Sequence, residues 1–388
     1  MISITRLTEV IRESGAKGWL FYNFEHRDRI ADSILGIPAQ APNTRPWAYL
    51  VGVDTEPIKI VHAIEADLLD HLPGEKRIYI GQADFRHKLG LGPLKTQLVL
   101  ANFSTHFPKI SSLDYGTAVM LKELGFELKS SELALAEIWG RLSPEELTSH
   151  EEASHALHQI IYATWQKIRE TFSAKRAVYE GDILNWLQGL FKEYSLITDW
   201  PLIVASGINT TLPHYFPQGQ GALLKENELV QLDIWGKKSQ TDAIYADISW
   251  VGFLARKAPQ PITDVFKTVI AARDQAIYFI KTRLEANEIV TGAEVDQEVT
   301  AYLIQAGMER FIKHRSGHAI DHQVHGWGVN LDSKEFPDWR PLKEGACFSL
   351  EPGLYLKDFG MRTEINIYIK NKQPVISGGE PQRDLLLL

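Results

Sequence analysis

Apolar positions in the first third of the chain follow two alternating textures. ISITRLTEVIRES and RDRIADSILG read as helices, whereas WLFYN, WAYLVGV, EPIKIVHAI, KRIYIG and QLVLANF are short runs rich in β-branched and aromatic residues, with ADLLDHL lying among them. This alternation predicts an α/β domain built on a central sheet over residues 1–142. Around Ser143 the texture changes. SPEEL carries a capping box, Ser143 with Glu146 three residues on, and opens a long amphipathic helix through roughly Thr171. A second helix falls near GDILNWLQGLFKEY, followed by strand-like LIVASG, LVQLDIW and AIYADISWVGF. Two further helices, ITDVFKTVIAARDQAIYFIKTRL and GAEVDQEVTAYLIQAG, precede a return to strands in CFSLEPGLYL and INIYIK. Strands interrupted by paired helices predict an α+β domain over residues 143–388, its helices covering one face of a sheet. No tandem repeat or low-complexity tract is evident.

Composition narrows the class. At 388 residues the chain is long enough for two domains, and 44% hydrophobic with 23% charged residues is the balance of a folded globular protein. The first residues, MISITRLTEVIRESGAKG, hold no unbroken apolar run, so a secretory signal or a membrane span is not expected and a cytoplasmic address is. A single cysteine, Cys347, excludes an intrachain disulfide scaffold and reads as a packed core thiol. The net charge of −8 offers no basic footprint for nucleic acid.

Three segments carry candidate chemistry. Asp233 in LVQLDIW and Asp247 in AIYADISW sit inside apolar strand-forming runs. There an ionised carboxylate is costly unless a cation compensates it or the strand is an edge that turns it to solvent. KHRSGHAIDHQVHGWG gathers His314, His318, His322 and His325, four of the thirteen histidines, beside glycines that permit close backbone approach. FSLEPGLYL places Glu351 between an apolar strand and Pro-Gly, and GMRTEINIYI puts Arg362 and Glu364 on one face by period-two alternation. Taken alone, that last pair reads as a surface ion pair of small energetic value. Together, four carboxylates and one imidazole suit hard or borderline divalent cations, manganese foremost, with cobalt or zinc as alternatives. Two such ions about 3.5 Å apart, sharing carboxylates and a hydroxide, would use the set better than one.

The ordered set Asp233, Asp247, His318, Glu351, Glu364 resembles that of the pita-bread metallopeptidases, which include Xaa-Pro aminopeptidase, prolidase and methionine aminopeptidase. The local signatures are similar too: Tyr245-Ala-Asp247-Ile-Ser249, Gly317-His318 with His325 seven residues on, Leu350-Glu351-Pro352-Gly353 and Arg362-Thr-Glu364. The N-terminal region resembles the extra domain of the prolidase and aminopeptidase P branch. The resemblance implies that Asp233 chelates one ion, Asp247 and Glu364 bridge two, and His318 with Glu351 holds the other. It implies Glu351 as the group that takes a proton from the bridging hydroxide's parent water. His325, His314 and His214 would contact substrate or stabilise developing charge, and Arg362 would orient a bridging carboxylate. A homodimer acting on a dipeptide or short peptide at its N-terminal Xaa-Pro bond is the function it implies. A non-peptide amide substrate, or a non-catalytic peptide-binding module, are the other readings considered.

The sequence departs from the family pattern in places. Thirteen residues separate Asp233 from Asp247, which predicts a longer hairpin and makes Asp242 a rival ligand, although its polar turn argues against it. Trp250 stands where many relatives carry arginine, Ala319 replaces a glycine, and His322 has no family role. Tyr215, Phe216, Trp235 and Trp327 could line a pocket, with core packing as the simpler role.

Overall fold

The computed structural model describes residues 1–388 and divides into two compact units, Met1–Ile138 and Trp139–Leu388, a few residues ahead of the capping-box Ser143. The first unit runs α1 (Ile4–Glu13), β1 (Gly18–Asn23), α2 (Arg29–Leu35), β2 (Trp47–Gly52), β3 (Ile58–His62), β4 (Glu75–Tyr79), α3 (Gln82–Gly90), β5 (Leu98–Ala101), α4 (Tyr115–Glu123), β6 (Glu127–Ser130) and α5 (Glu132–Trp139), whose last residue, Trp139, belongs to the second unit. Its six strands form one mixed sheet in the order β4-β3-β2-β1-β5-β6, which is the central sheet the alternation predicts. Leu20, Leu50, Ile60 and Val99 from the strands pack against Phe85 of α3 and Leu121 of α4. ADLLDHL is a run of turns and not a regular element. Helices α3 and α4 are absent from the sequence reading because each buries only two side chains, too few to mark a helical face.

The second unit repeats one order of elements. Helices α6 (Pro144–Ser173) and α7 (Glu180–Glu193) precede β7 (Leu196–Ile197), β8 (Ile203–Ser206), β9 (Leu229–Lys238) and β10 (Ala246–Phe253). Helices α8 (Gln260–Glu285) and α9 (Gly292–Gln305) then precede β11 (Cys347–Leu350), β12 (Gly353–Tyr355), β13 (Gly360–Arg362), β14 (Ile365–Lys370), β15 (Gln373–Ile376) and β16 (Leu386–Leu387). The capping box at Ser143 forms as read, with Ser143 Oγ accepting from the Glu146 N–H and Glu146 Oε2 accepting from the Ser143 N–H. No helix of the chain is long and apolar enough to cross a membrane.

The β9–β10 hairpin organises this unit. Both strands are buried along nearly their whole length, and β9 is flanked by β10 on one side and by β7 and β8 on the other. Val230, Leu232, Ile234, Ile248 and Trp250 join Leu157, Ile161 and Trp165 of α6 in one core, whereas Asp233, Asp247 and Ser249 alternate with them on the opposite face. Across that face the β11-β14-β15 sheet packs under α8 and α9 with Leu229, Val251 and Phe253. The edge-strand reading of Asp233 and Asp247 fails for this reason: both are interior, at 4% and 5% exposure.

Candidate metal centre

The hairpin register pairs Asp233 with Ser249 and Trp235 with Asp247, so the two carboxylates are diagonal neighbours on one face. Glu364 arrives from the other sheet through an isolated bridge to Ser249, its N–H donating to the Ser249 carbonyl at 3.0 Å. Asn366, which the sequence reading passes over, fastens the two sheets: its Oδ1 accepts from the Asp247 N–H at 2.8 Å and its Nδ2 donates to the Asp247 carbonyl at 2.6 Å. An asparagine in an apolar strand offers no sequence signal beyond its polarity.

His318 is set by strand-like pairing against β11. Its N–H donates to Ser349 Oγ at 2.9 Å, and the Ser349 N–H returns a bond to the His318 carbonyl at 2.8 Å. The Glu351 N–H donates to the Ser316 carbonyl at 2.8 Å, tying the glutamate to the same segment. His318 Nε2 thereby lies 3.5 Å from Asp247 Oδ2, 3.6 Å from Glu351 Oε1 and 3.9 Å from Glu364 Oε1. One donor atom each from Asp247, His318 and Glu364 falls within a mutual distance of 4.8 Å, and all three residues are buried.

Arg362 is buried at 5% exposure, so the surface ion-pair reading of Arg362 and Glu364 does not hold. Its Nη2 donates to Asp233 Oδ2, its Nη1 to the Tyr355 hydroxyl at 2.8 Å, and its Nε lies 3.8 Å from Glu351. The guanidinium therefore orients Asp233, the carboxylate expected to chelate a single ion, in place of a bridging one. Tyr355, unremarked in the sequence, links this arginine to His314, whose Nε2 is 2.8 Å from the same hydroxyl. His325 stacks edge-on against His318 with ring centroids 4.4 Å apart, and His214 follows Pro213, whose carbonyl accepts from Arg362 Nη1 at 3.4 Å. The five expected ligands and His214, His314, His325 and Arg362 thus converge on one region.

Electrostatics in this cluster favour a bound cation. Burial, together with the neighbouring Asp233 and Glu351, raises Asp247 to about 7 even though His318 opposes the shift. Burial and the surrounding carboxylates raise Glu364 well above the usual carboxylate range. At Glu351 burial works the same way, but the nearby His318, His314, Arg362 and Arg315 outweigh it and hold the group down to about 2. Asp247 Oδ1 and Glu364 Oε1 are buried with no hydrogen-bond partner, an arrangement that costs free energy unless a cation meets them. The donor set, oxygen-rich with one imidazole nitrogen, fits divalent cations.

The remaining candidates separate cleanly. His322 Nε2 lies 3.2 Å from Glu146 Oε1, so it serves the start of α6; that hydrogen bond raises its pKa. Asp242 is exposed in the hairpin turn with φ 63°. Trp250 meets Tyr162 and His158 of α6, on the face away from the carboxylates. Tyr215 donates to Glu180, and Trp327 packs on Trp139 at 5.4 Å. Cys347 is buried, and loss of solvent raises its thiol well above the usual range.

Residues 148–371 match the model of metallopeptidase family M24. The Xaa-Pro dipeptidase of Lactobacillus delbrueckii subsp. lactis is 28% identical over 168 residues, 43% of this chain and 41% of that protein. The Xaa-Pro dipeptidase of Pyrococcus horikoshii is 23% identical over 262 residues, 67% of this chain and 69% of that protein. The aligned stretch thus spans well under half of the Lactobacillus relative. Among solved structures, a prolidase from Thermococcus sibiricus superposes with a TM-score of 0.69 at 17% identity, covering 99% of this chain and 98% of that one. Dipeptidase PepE from Mycobacterium ulcerans superposes with a TM-score of 0.75 at 16% identity, covering 99% and 96%. These likenesses show the α+β pita-bread fold with its additional N-terminal α/β domain, and the match over residues 148–371 places the chain in metallopeptidase family M24.

Proposed function

We propose that this chain hydrolyses the N-terminal Xaa-Pro amide bond of a dipeptide or short peptide, using two divalent cations, manganese foremost, held by Asp233, Asp247, His318, Glu351 and Glu364. The observation that carries the reading is the buried cluster of Asp247, His318 and Glu364, in which Asp247 and Glu364 each keep a carboxylate oxygen without a hydrogen-bond partner. The names of the relatives, Xaa-Pro dipeptidases among them, support the substrate class. Bound divalent ions would supply an acidified water and polarisation of the scissile carbonyl. The residues do the rest. Glu351, beside His318 and held down in pKa, accepts the proton of the attacking water and returns it to the leaving imino nitrogen. His325, exposed beside His318, and His214 donate to charge developing on the carbonyl oxygen. Arg362 holds Asp233 in place, and Tyr355 holds both Arg362 and His314.

The test is release of the N-terminal residue from matched Xaa-Pro dipeptide and Xaa-Pro-Xaa tripeptide substrates, with chelator-stripped protein and with added manganese. Metal-dependent release is expected, abolished in Glu351→Ala and Glu364→Ala, and the preferred length separates a dipeptidase from an aminopeptidase. No turnover of either substrate in protein that holds two metal ions would overturn the peptide reading and favour non-peptide amides. A homodimer belongs to the same proposal and is tested by light scattering.

A further inference from the structure

Among the carboxylates outside the metal cluster that are almost wholly buried, Glu180 and Asp296 share one arrangement and have no part in the chemistry above. Glu180, at 0% exposure, opens α7, and Asp296, at 2%, lies near the start of α9. These are the second helices of the two helix-helix-strand runs. Glu180 Oε1 accepts from the Ser206 N–H at 2.7 Å, Ser206 Oγ at 3.0 Å and Asn209 Nδ2 at 2.9 Å. Its Oε2 accepts from the Tyr215 hydroxyl and the Ala222 N–H, both at 2.7 Å. Asp296 repeats the pattern: Oδ1 accepts from the Ser316 N–H at 2.9 Å and Ser316 Oγ at 2.6 Å, and Oδ2 from the Ser333 N–H at 2.8 Å and Ser333 Oγ at 2.5 Å.

In each case one oxygen holds the start of a loop and the other its end, Ser206 and Ala222 for Glu180, Ser316 and Ser333 for Asp296. The excursion closed by Glu180 carries His214. The one closed by Asp296 carries His318 and His325. The partners are all N–H and O–H groups, and an ionised carboxylate is acceptor-only on both oxygens, so it can close both ends at once. A side-chain amide of the same shape would aim an N–H at a backbone N–H on one end, and a backbone N–H cannot reverse its role.

We propose that Glu180 and Asp296 are positioning residues, clasps that fix the two histidine-bearing loops against the metal centre, Glu180 acting through His214 and Asp296 through His318. The catalytic half of this inference rests on the proposed peptidase reading; the structural half does not. Glu180→Gln should speed amide exchange across residues 206–222 while helices α6 and α8 stay protected. It should also lower kcat/KM for an Xaa-Pro dipeptide by about 10- to 100-fold with metal content unchanged. Combined with His214→Ala, it should cost no more than about twofold beyond the worse single variant, because both act at one place. Tyr215→Phe removes one donor of five and should fall between wild type and Glu180→Gln. Asp296→Asn should instead weaken manganese binding by about 10- to 100-fold. Unchanged loop exchange in Glu180→Gln, or losses that multiply in the double variant, would overturn the proposal for Glu180, and unaltered manganese affinity would do so for Asp296. A wild-type protein inactive on every Xaa-Pro substrate would remove the peptidase reading, leaving exchange and manganese affinity to decide the clasps.

Discussion

Replacing Gly317 by alanine tests whether the histidine ligand is placed by backbone proximity. A Cβ at this position would stand 2.0 Å from the Ser349 carbonyl oxygen and 2.9 Å from its carbon. Both are backbone atoms, so no rotamer change relieves the contact. To reach an ordinary 3.4 Å separation, one strand must retreat by about 1.4 Å. That retreat pulls on the two bonds between His318 and Ser349, each worth about 1 kcal/mol, and adds overpacking strain of about 1–3 kcal/mol. Gly317→Ala should therefore lose about 3–5 kcal/mol of stability in a chelator-treated chemical denaturation. The displacement also moves His318 Nε2 away from Asp247 and Glu351, which it now approaches at 3.5 and 3.6 Å. A misplacement of about 1 Å at a reacting site costs on the order of 100-fold in rate. Manganese titrations with an Xaa-Pro substrate should show weaker metal binding together with a lower plateau rate. Wild-type stability and a wild-type plateau in Gly317→Ala would refute the claim that close packing on Ser349 sets the ligand.

Arg362→Met should destabilise metal-free protein by about 3–5 kcal/mol, because Asp233 is left buried without its cation, and by clearly less once manganese is present. Equal losses in thermal scans with and without metal would show that the arginine does not compensate charge there. Cys347 should resist thiol reagents in the native protein and react only on unfolding, since it is buried and its thiol is raised; rapid native labelling would contradict this. In the N-terminal unit, burial raises Asp28 from 3.8 to about 6. The native state therefore keeps a proton that the unfolded chain releases, so this group's contribution to stability falls as pH rises from about 4 to about 6, by up to about 3 kcal/mol. The wild-type-minus-Asp28→Asn difference in unfolding free energy should follow that slope, and a flat difference would refute it.

Much of the candidate centre was legible because its chemistry conflicts with its surroundings. Asp233 and Asp247 stand out as carboxylates in apolar strands, and His318, Glu351 and Glu364 complete an ordered donor set that physical reasoning could connect to cations. The long helices were legible for a related reason: α6 has a capping box and a sustained apolar face, whereas α3 and α4 bury too little to show one. Period-two alternation put Arg362 and Glu364 on one face, whereas the shared face of Asp233 and Asp247 came only from the register of the β9–β10 hairpin. What alternation cannot say is whether that face meets water. Only the packing of the β11-β14-β15 sheet across it makes the carboxylates interior, and the same packing turns Arg362 from a supposed surface partner of Glu364 into the buried partner of Asp233. Asn366, Tyr355, Glu180 and Asp296 escaped notice because a polar residue gains its meaning from donors and acceptors distant along the chain, such as Asp247, 119 positions from Asn366. Local sequence determines which face a side chain takes; the tertiary structure decides what that face meets, because burial and hydrogen bonding depend on segments brought together only by the fold.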